Sequence, residues 1–233
     1  MHRVYNYALA AATLALLPLA SVAHAQEASR AVAGGGISIP GWTGQIDASS
    51  VKHGSTLNQS KLSMEGGALH VVTGPAVAYW NPSDNASGSY TVSATFREPK
   101  YMSLNDHPHP YGVFIAGNNM GTAQQTYLYC AAYGNGNFIV RGFGPAPFQM
   151  NGREGAANAA VHKAPGVGQP VSQEIALSVK GDKVSCWVNG TEVASYNKSE
   201  LVTSGKLTST DGVYGIRFAH NTEGFVTGLK VTR

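Results

Sequence analysis

Tyr127, Tyr129 and Tyr133 lie at even spacing in the run TYLYCAAY. Side chains two apart share one face of a strand, so the three rings form a row. If Leu128, Cys130 and Ala132 face a core, the tyrosines face out of it. The following run, Phe138–Phe143, then sets Phe138 and Val140 inward and Arg141 outward. Rings beside a guanidinium can stack on sugar rings and donate to hydroxyls or carboxylates. The same rings can instead pack beneath the long 144–170 segment, each burial stabilising by ~1.5–3 kcal/mol. Trp80, flanked by Tyr79 and Asn81, and Asn118, beside Asn119, are candidates for the rim of this face.

A second constellation is Asp106-His107-Pro108-His109. Two histidines one residue apart in an extended segment point the same way and can share a metal, with Asp106 or a distant histidine completing the shell. Asp106, His107 and His109 are thus the candidate ligands for a divalent ion, and the prolines stiffen their backbone. The same set serves general base chemistry, with His107, His109 or His220 as base and Glu154 or Asp106 as partner. Without a metal these residues form a solvated loop. Arg217 and His220 close a strand-like run and either reach a ligand near a sheet edge or bond to a neighbouring loop. His162 lies with Arg153 and Glu154 in the 144–170 segment, a lid or a flap over a groove. Cys130 and Cys186 are the two cysteines: a Cys130–Cys186 disulfide, or two buried thiols behaving as small apolar groups.

The elements that must position these groups are short strands. Candidate runs are 61–64, 68–73, 77–79, 88–98, 112–116, 126–133, 138–143, 173–180, 183–188, 191–196, 212–219 and 225–232. Gly66-Gly67, Gly181-Asp182 and Asn189-Gly190 between them are tight-turn chemistry. In 90–96, Tyr90, Val92, Ala94 and Phe96 alternate with Thr91, Ser93 and Thr95, a strand with one buried face. A dozen such strands imply an all-β chain folded as a two-sheet antiparallel β-sandwich or jelly roll. Gly144–Pro170 is the one long irregular stretch.

Residues 1–25 read as a signal peptide: Arg3, an apolar run from Ala8 to Val22, then Ala23-His24-Ala25 as a cleavage site. The expected address is exported, periplasmic or extracellular. Residues 26–40, rich in Ala, Gly and Ser, read as a flexible lead-in, and 41–233 as a single domain. Charged residues are 12% of the chain, its formal net charge is +3 at pH 7, and no basic run occurs. Nucleic acid is therefore not an expected partner. The apolar run is too short for a good membrane span. A monomer is expected.

The segments GSYTVSATF, YGVFIAGN, TYLYCAAYGNGNFIVRGF, IALSVKGDKVSCWVNGTEVASY and GVYGIRFAHNTEGFVTGLKVTR resemble, in pattern and order, the concanavalin A-like lectin/glucanase sandwich. Its laminin-G-like and 3-keto-disaccharide-hydrolase-type domains in exported bacterial proteins are the most similar. The resemblance spans about 42–233 and implies a concanavalin A-like jelly roll. Laminarinase-type members carry catalytic glutamates in an E-x-D-x-x-E strand, which no glutamate here begins. The expected function is a module binding a carbohydrate, a cell-envelope glycan or a similar polyhydroxyl ligand on a concave aromatic face, without a cofactor. The alternatives are a sugar-processing hydrolase or lyase of the 3-keto-disaccharide type and a structural envelope module without a ligand.

Overall fold

The computed structural model describes residues 1–2 and 28–233. The leader expected over 1–25 lies, from residue 3 onward, outside the described residues. Among the described residues, no helix is long and apolar enough to cross a membrane.

The described residues form sixteen strands in chain order: β1 (Gly36–Ile37), β2 (Thr43–Ile46), β3 (Lys61–Glu65), β4 (Ala68–Val72), β5 (Val77–Ala86), β6 (Tyr90–Glu98), β7 (Tyr111–Asn118), β8 (Thr126–Ala132), β9 (Asn137–Phe143), β10 (Pro147–Gln149), β11 (Ala156–Ala157), β12 (Val171–Lys180), β13 (Lys183–Val188), β14 (Thr191–Asn197), β15 (Gly212–Phe218) and β16 (Glu223–Thr232). They form two sheets. The first has the order β1-β3-β4-β16-β6-β12-β13-β14; the second runs β10-β9-β8-β7-β15-β5-β2, with β11 also pairing β9. All neighbours are antiparallel except β1 and β3. This is the expected sandwich.

Alternation explains the core. Tyr90, Val92, Ala94 and Phe96 of β6 meet Leu128, Cys130 and Ala132 of β8 and Phe138 and Val140 of β9 in the main cluster. Every residue of β8 is buried, so its other face must also be covered. The β13–β14 turn uses Asn189 and Gly190, at φ 49° and 80°, the left-handed pair that a two-residue hairpin needs.

Two expectations change here. Part of the lead-in is paired rather than flexible: Gly36 N–H donates to Ser60 O at 2.7 Å and Ser38 N–H to Leu62 O at 2.9 Å. The backbone of 36–38 finds its partners on β3, which composition does not reveal. The 144–170 segment is also less irregular than expected, because β10 and β11 both add to the edge of β9.

Cys130 on β8 and Cys186 on β13 are joined, with Cα atoms 5.8 Å apart. The bridge links the two sheets through the main core, where both residues are fully buried. Of the two readings of the cysteines, the structure has the disulfide. A crosslink closing a separation of 56 residues restricts the unfolded chain by about 4 kcal/mol on the entropic account. The Cys130→Ala/Cys186→Ala protein should therefore lose stability of that order in denaturant unfolding. Two titratable thiols in the unfolded, unreduced wild-type protein would contradict the bridge.

A buried carboxyl sets a second expectation. Glu98, closing β6, is 5% exposed and accepts from Met102 N–H at 3.2 Å. Burial pushes its pKa up from 4.5 to about 7, against the pull of the Met102 hydrogen bond. A raised carboxyl pKa means that the folded state holds the proton more tightly than the unfolded state. Its contribution to stability is thus complete below pH 4.5, falls between 4.5 and 7, and is gone above that window. The loss is on the order of 3 kcal/mol. Glu98→Gln should flatten this part of the stability–pH curve, and an unchanged slope would contradict the assignment.

Candidate functional site

The outer face of the second sheet carries the first constellation. Register places Thr43, Trp80, Gly215, Phe114, Tyr129 and Arg141 in one row across β2, β5, β15, β7, β8 and β9. The adjacent row is Gln45, Ala78, Arg217, Gly112, Ala131 and Ile139. Tyr127 sits opposite Phe143 beyond them. The tyrosines and Arg141 therefore point where alternation puts them, away from the main core.

They do not form a bare platform. Tyr127 and Tyr129 are 1% and 7% exposed and Trp80 is 4%; with Ala78, Phe114, Ala131 and Ile139 they make a second apolar cluster. Tyr127 stacks on Phe143 at 4.9 Å and meets Phe114 at 5.1 Å. Over the rings lies the Arg217 guanidinium, 5.8 Å from the Tyr129 centroid and 5.5 Å from Phe143. The small residues Gly112 and Ala131 next to it in its row leave room for that reach. Of the two readings of the tyrosine row, Tyr127, Tyr129 and Trp80 follow the packed one and form a buried floor, while Tyr133 and Arg141 are part-exposed.

Arg217 is the polar centre of this face. Its Nη2 donates to Asp47 Oδ2 at 2.6 Å. Burial works against its charge, but Asp47 and the nearby phenols of Tyr127 and Tyr129 hold the guanidinium firmly protonated. Burial likewise raises the Tyr127 and Tyr129 hydroxyls above their ordinary range. Tyr133 is pushed up to about 12 by burial, with Arg141 opposing and Tyr129 and Glu154 adding to the rise. The Arg141 guanidinium donates to Arg153 O from the 144–170 segment. Three buried polar atoms on this face make no hydrogen bond: Gln45 Oε1, Arg141 Nε and Arg217 Nη1.

Other predicted residues fall elsewhere. Asn118 Nδ2 donates to Ala116 O at 3.1 Å and Asp211 O at 2.9 Å, stapling a bulge in which Ala116 has φ 60°. Its amide N–H groups hold backbone rather than facing a ligand. His162 Nδ1 donates to Ser172 O at 2.8 Å, and its own N–H and C=O are held by the Gln173 side chain. It pins the end of the 144–170 segment rather than riding on a lid. Arg217 stands mid-sheet, not at an edge, because β15 lies between β7 and β5. Asp47 and Gln45 were not expected at all. The only sequence signal was Ile46, whose inward position would turn Gln45 outward.

The second constellation assembles at one end of the sandwich. The β6–β7 connection delivers His107 and His109, and the β15–β16 turn delivers His220. Ala219 N–H donates to Pro110 O at 3.0 Å and Asn105 Nδ2 to Asn221 O at 2.8 Å, locking the two segments together. One ligand atom from each of the three histidines lies within 4.8 Å of the others. His107 Nδ1 donates to Asp106 Oδ1 at 2.5 Å, and His109 Nδ1 to His220 O at 2.5 Å. His109 Nε2 and His107 Nε2 face each other at 2.8 Å. Burial, then the neighbouring His220 and His107, pulls the His109 pKa down to about 3. The structure divides the base-and-partner set of the enzyme reading: Asp106 joins the histidines, whereas Glu154 acts on Tyr133.

No protein-family model matches the chain, and no curated protein is similar to it in sequence. Several solved structures are similar in fold. A carbohydrate binding module, CBM66, from Bacillus subtilis aligns with a TM-score of 0.54 at 8% identity, covering 84% of this chain and 98% of that one. A Bacillus subtilis protein of unknown function with a galectin-like fold aligns at 0.53 and 11% identity over 82% and 88%. The endo-β-1,3-glucanase of Pyrococcus furiosus aligns at 0.51 and 12% identity over 82% and 87%. At such identities the likeness concerns architecture, and it agrees with the two-sheet β-sandwich expected from the sequence.

The Arg217–Asp47 pair gives this section its test. Removing one member of a buried pair leaves the other charge uncompensated, at a cost of about 3–5 kcal/mol. Asp47→Ala should destabilise by that amount in urea unfolding at neutral pH. A loss below about 1 kcal/mol, the range of exposed pairs, would contradict the pairing.

Proposed function

We propose that this is an exported, non-catalytic β-sandwich module that binds a carbohydrate or similar polyhydroxyl ligand on the outer face of its second sheet. The observation that carries the reading is the pair of part-exposed side chains, Tyr133 and Arg141, set at the margin of a buried aromatic floor. Tyr133, at the exposed side of the aromatic floor, provides a ring for a sugar to stack on, and Arg141 beside it a charged donor. The similar architecture of a carbohydrate binding module and an endo-β-1,3-glucanase supports the same class of ligand. The leader read in residues 1–25 supports an exported module facing cell-envelope or extracellular glycans, as a monomer.

A panel of soluble plant, fungal and bacterial-envelope oligosaccharides, screened by array and then by isothermal titration, tests this reading. At least one glycan should bind, and Arg141→Ala and Tyr133→Ala should each weaken it by roughly tenfold or more, equivalent to about 1.4 kcal/mol. Both positions are part-exposed, so each variant should keep the wild-type melting temperature within a few degrees. Absence of binding across the panel, or binding indifferent to both substitutions, would contradict the proposal.

A further inference from the structure

We propose that His107, His109 and His220 form a binding site for a borderline transition-metal ion of the zinc class, with Asp106 as the outer carboxylate that orients His107. The site is independent of the sheet face assigned to carbohydrate.

Tautomers make the argument. A carboxylate and a carbonyl oxygen only accept hydrogen bonds. His107 Nδ1, 2.5 Å from Asp106 Oδ1, must therefore carry a proton, as must His109 Nδ1, 2.5 Å from His220 O. In the neutral rings both Nε2 atoms are then bare lone pairs, and they point at each other across 2.8 Å. Two lone pairs in that position repel unless something positive lies between them. The candidates are a proton on His107 or a shared cation.

The surroundings match a metal site in three respects. The third imidazole, His220, lies tilted by 49° against His109 with centroids 4.0 Å apart, and its ligand atom falls within the 4.8 Å group. Two nitrogens about 2.0–2.1 Å from a tetrahedral ion stand about 3.3 Å apart, so the 2.8 Å pair needs to open by only about half an ångström. His107 and His109 also already have the outer partner that ligating histidines use, a carboxylate for the first and a backbone carbonyl for the second. An all-imidazole donor set selects zinc, copper, nickel or cobalt over calcium and magnesium. His107 is 53% exposed at its side chain, so the fourth position of a tetrahedral ion faces solvent. Three protein ligands would leave one position open to water or a further ligand. Such an ion would also tie the β6–β7 connection to the β15–β16 turn.

Tag-free protein, dialysed against chelator and then titrated with zinc chloride by calorimetry, tests the site. One zinc ion should bind per chain. His107→Ala and His220→Ala should each weaken binding at least about 100-fold, and Asp106→Asn by about 10–100-fold. A tenfold excess of magnesium or calcium should not compete. Cobalt titration should give a visible absorption of tetrahedral intensity that His107→Ala abolishes. His107 is exposed enough for its alanine variant to fold, which its circular dichroism and melting curve can verify, so that variant decides if His220→Ala is unstable. Zinc binding no tighter in the wild type than in folded His107→Ala overturns the proposal. Cobalt spectra of octahedral intensity only would overturn it as well.

Discussion

Strand β8 is buried on both faces, and this constraint organises the rest of the molecule. A strand covered on one side can alternate apolar and polar residues; one covered on both must be apolar throughout or supply its polar groups with partners. In β8, Leu128, Cys130 and Ala132 are packed into the space between the sheets, and Cys130 is bonded there to β13 of the opposite sheet. The other side carries Tyr127, Tyr129 and Ala131, which need a second cluster of their own. The phenols give that cluster a polar margin, and the neighbouring strands answer it with Arg141 and Arg217.

That second cluster separates this face from an ordinary solvated sheet surface. Arg217 is placed over aromatic rings and tied to Asp47, yet one of its terminal nitrogens has no partner. Folding alone gains little from a buried arginine whose hydrogen bonds are incomplete. At the end of the sandwich the histidine cluster holds His107 Nε2 and His109 Nε2 2.8 Å apart.

Much of this was legible in the sequence where one rule acts locally. Period-two alternation placed both sides of β6, β8 and β9 correctly, and Asn189-Gly190 marked its hairpin through the only backbone conformation that closes it cheaply. The strands β1, β2, β10 and β11 were not legible, being two to four residues long and held by partners distant in sequence. The second half of β5, Asn81–Ala86, lay outside the expected run 77–79; there β15 pairs only Asn85 and Ala86, across a register shift from Trp80. The tyrosines were assigned to the right side, but alternation does not say what lies on that side. Their cover comes partly from Arg217, 88 residues beyond Tyr129, drawn there by Asp47 near the start of the domain. His107 and His109 could be paired from spacing alone, whereas their third partner, His220, is brought in by the β7–β15 ladder.

The central claim is that the outer face of the second sheet is the recognition surface. Amide chemical-shift mapping of isotopically labelled protein, titrated with the tightest glycan of the oligosaccharide panel, addresses it most directly. The account predicts that the largest shifts fall on β8 and β9 and the residues flanking them, around Tyr129, Tyr133 and Arg141. Shifts confined to the first sheet, or to the loops at the ends of the sandwich, would contradict it.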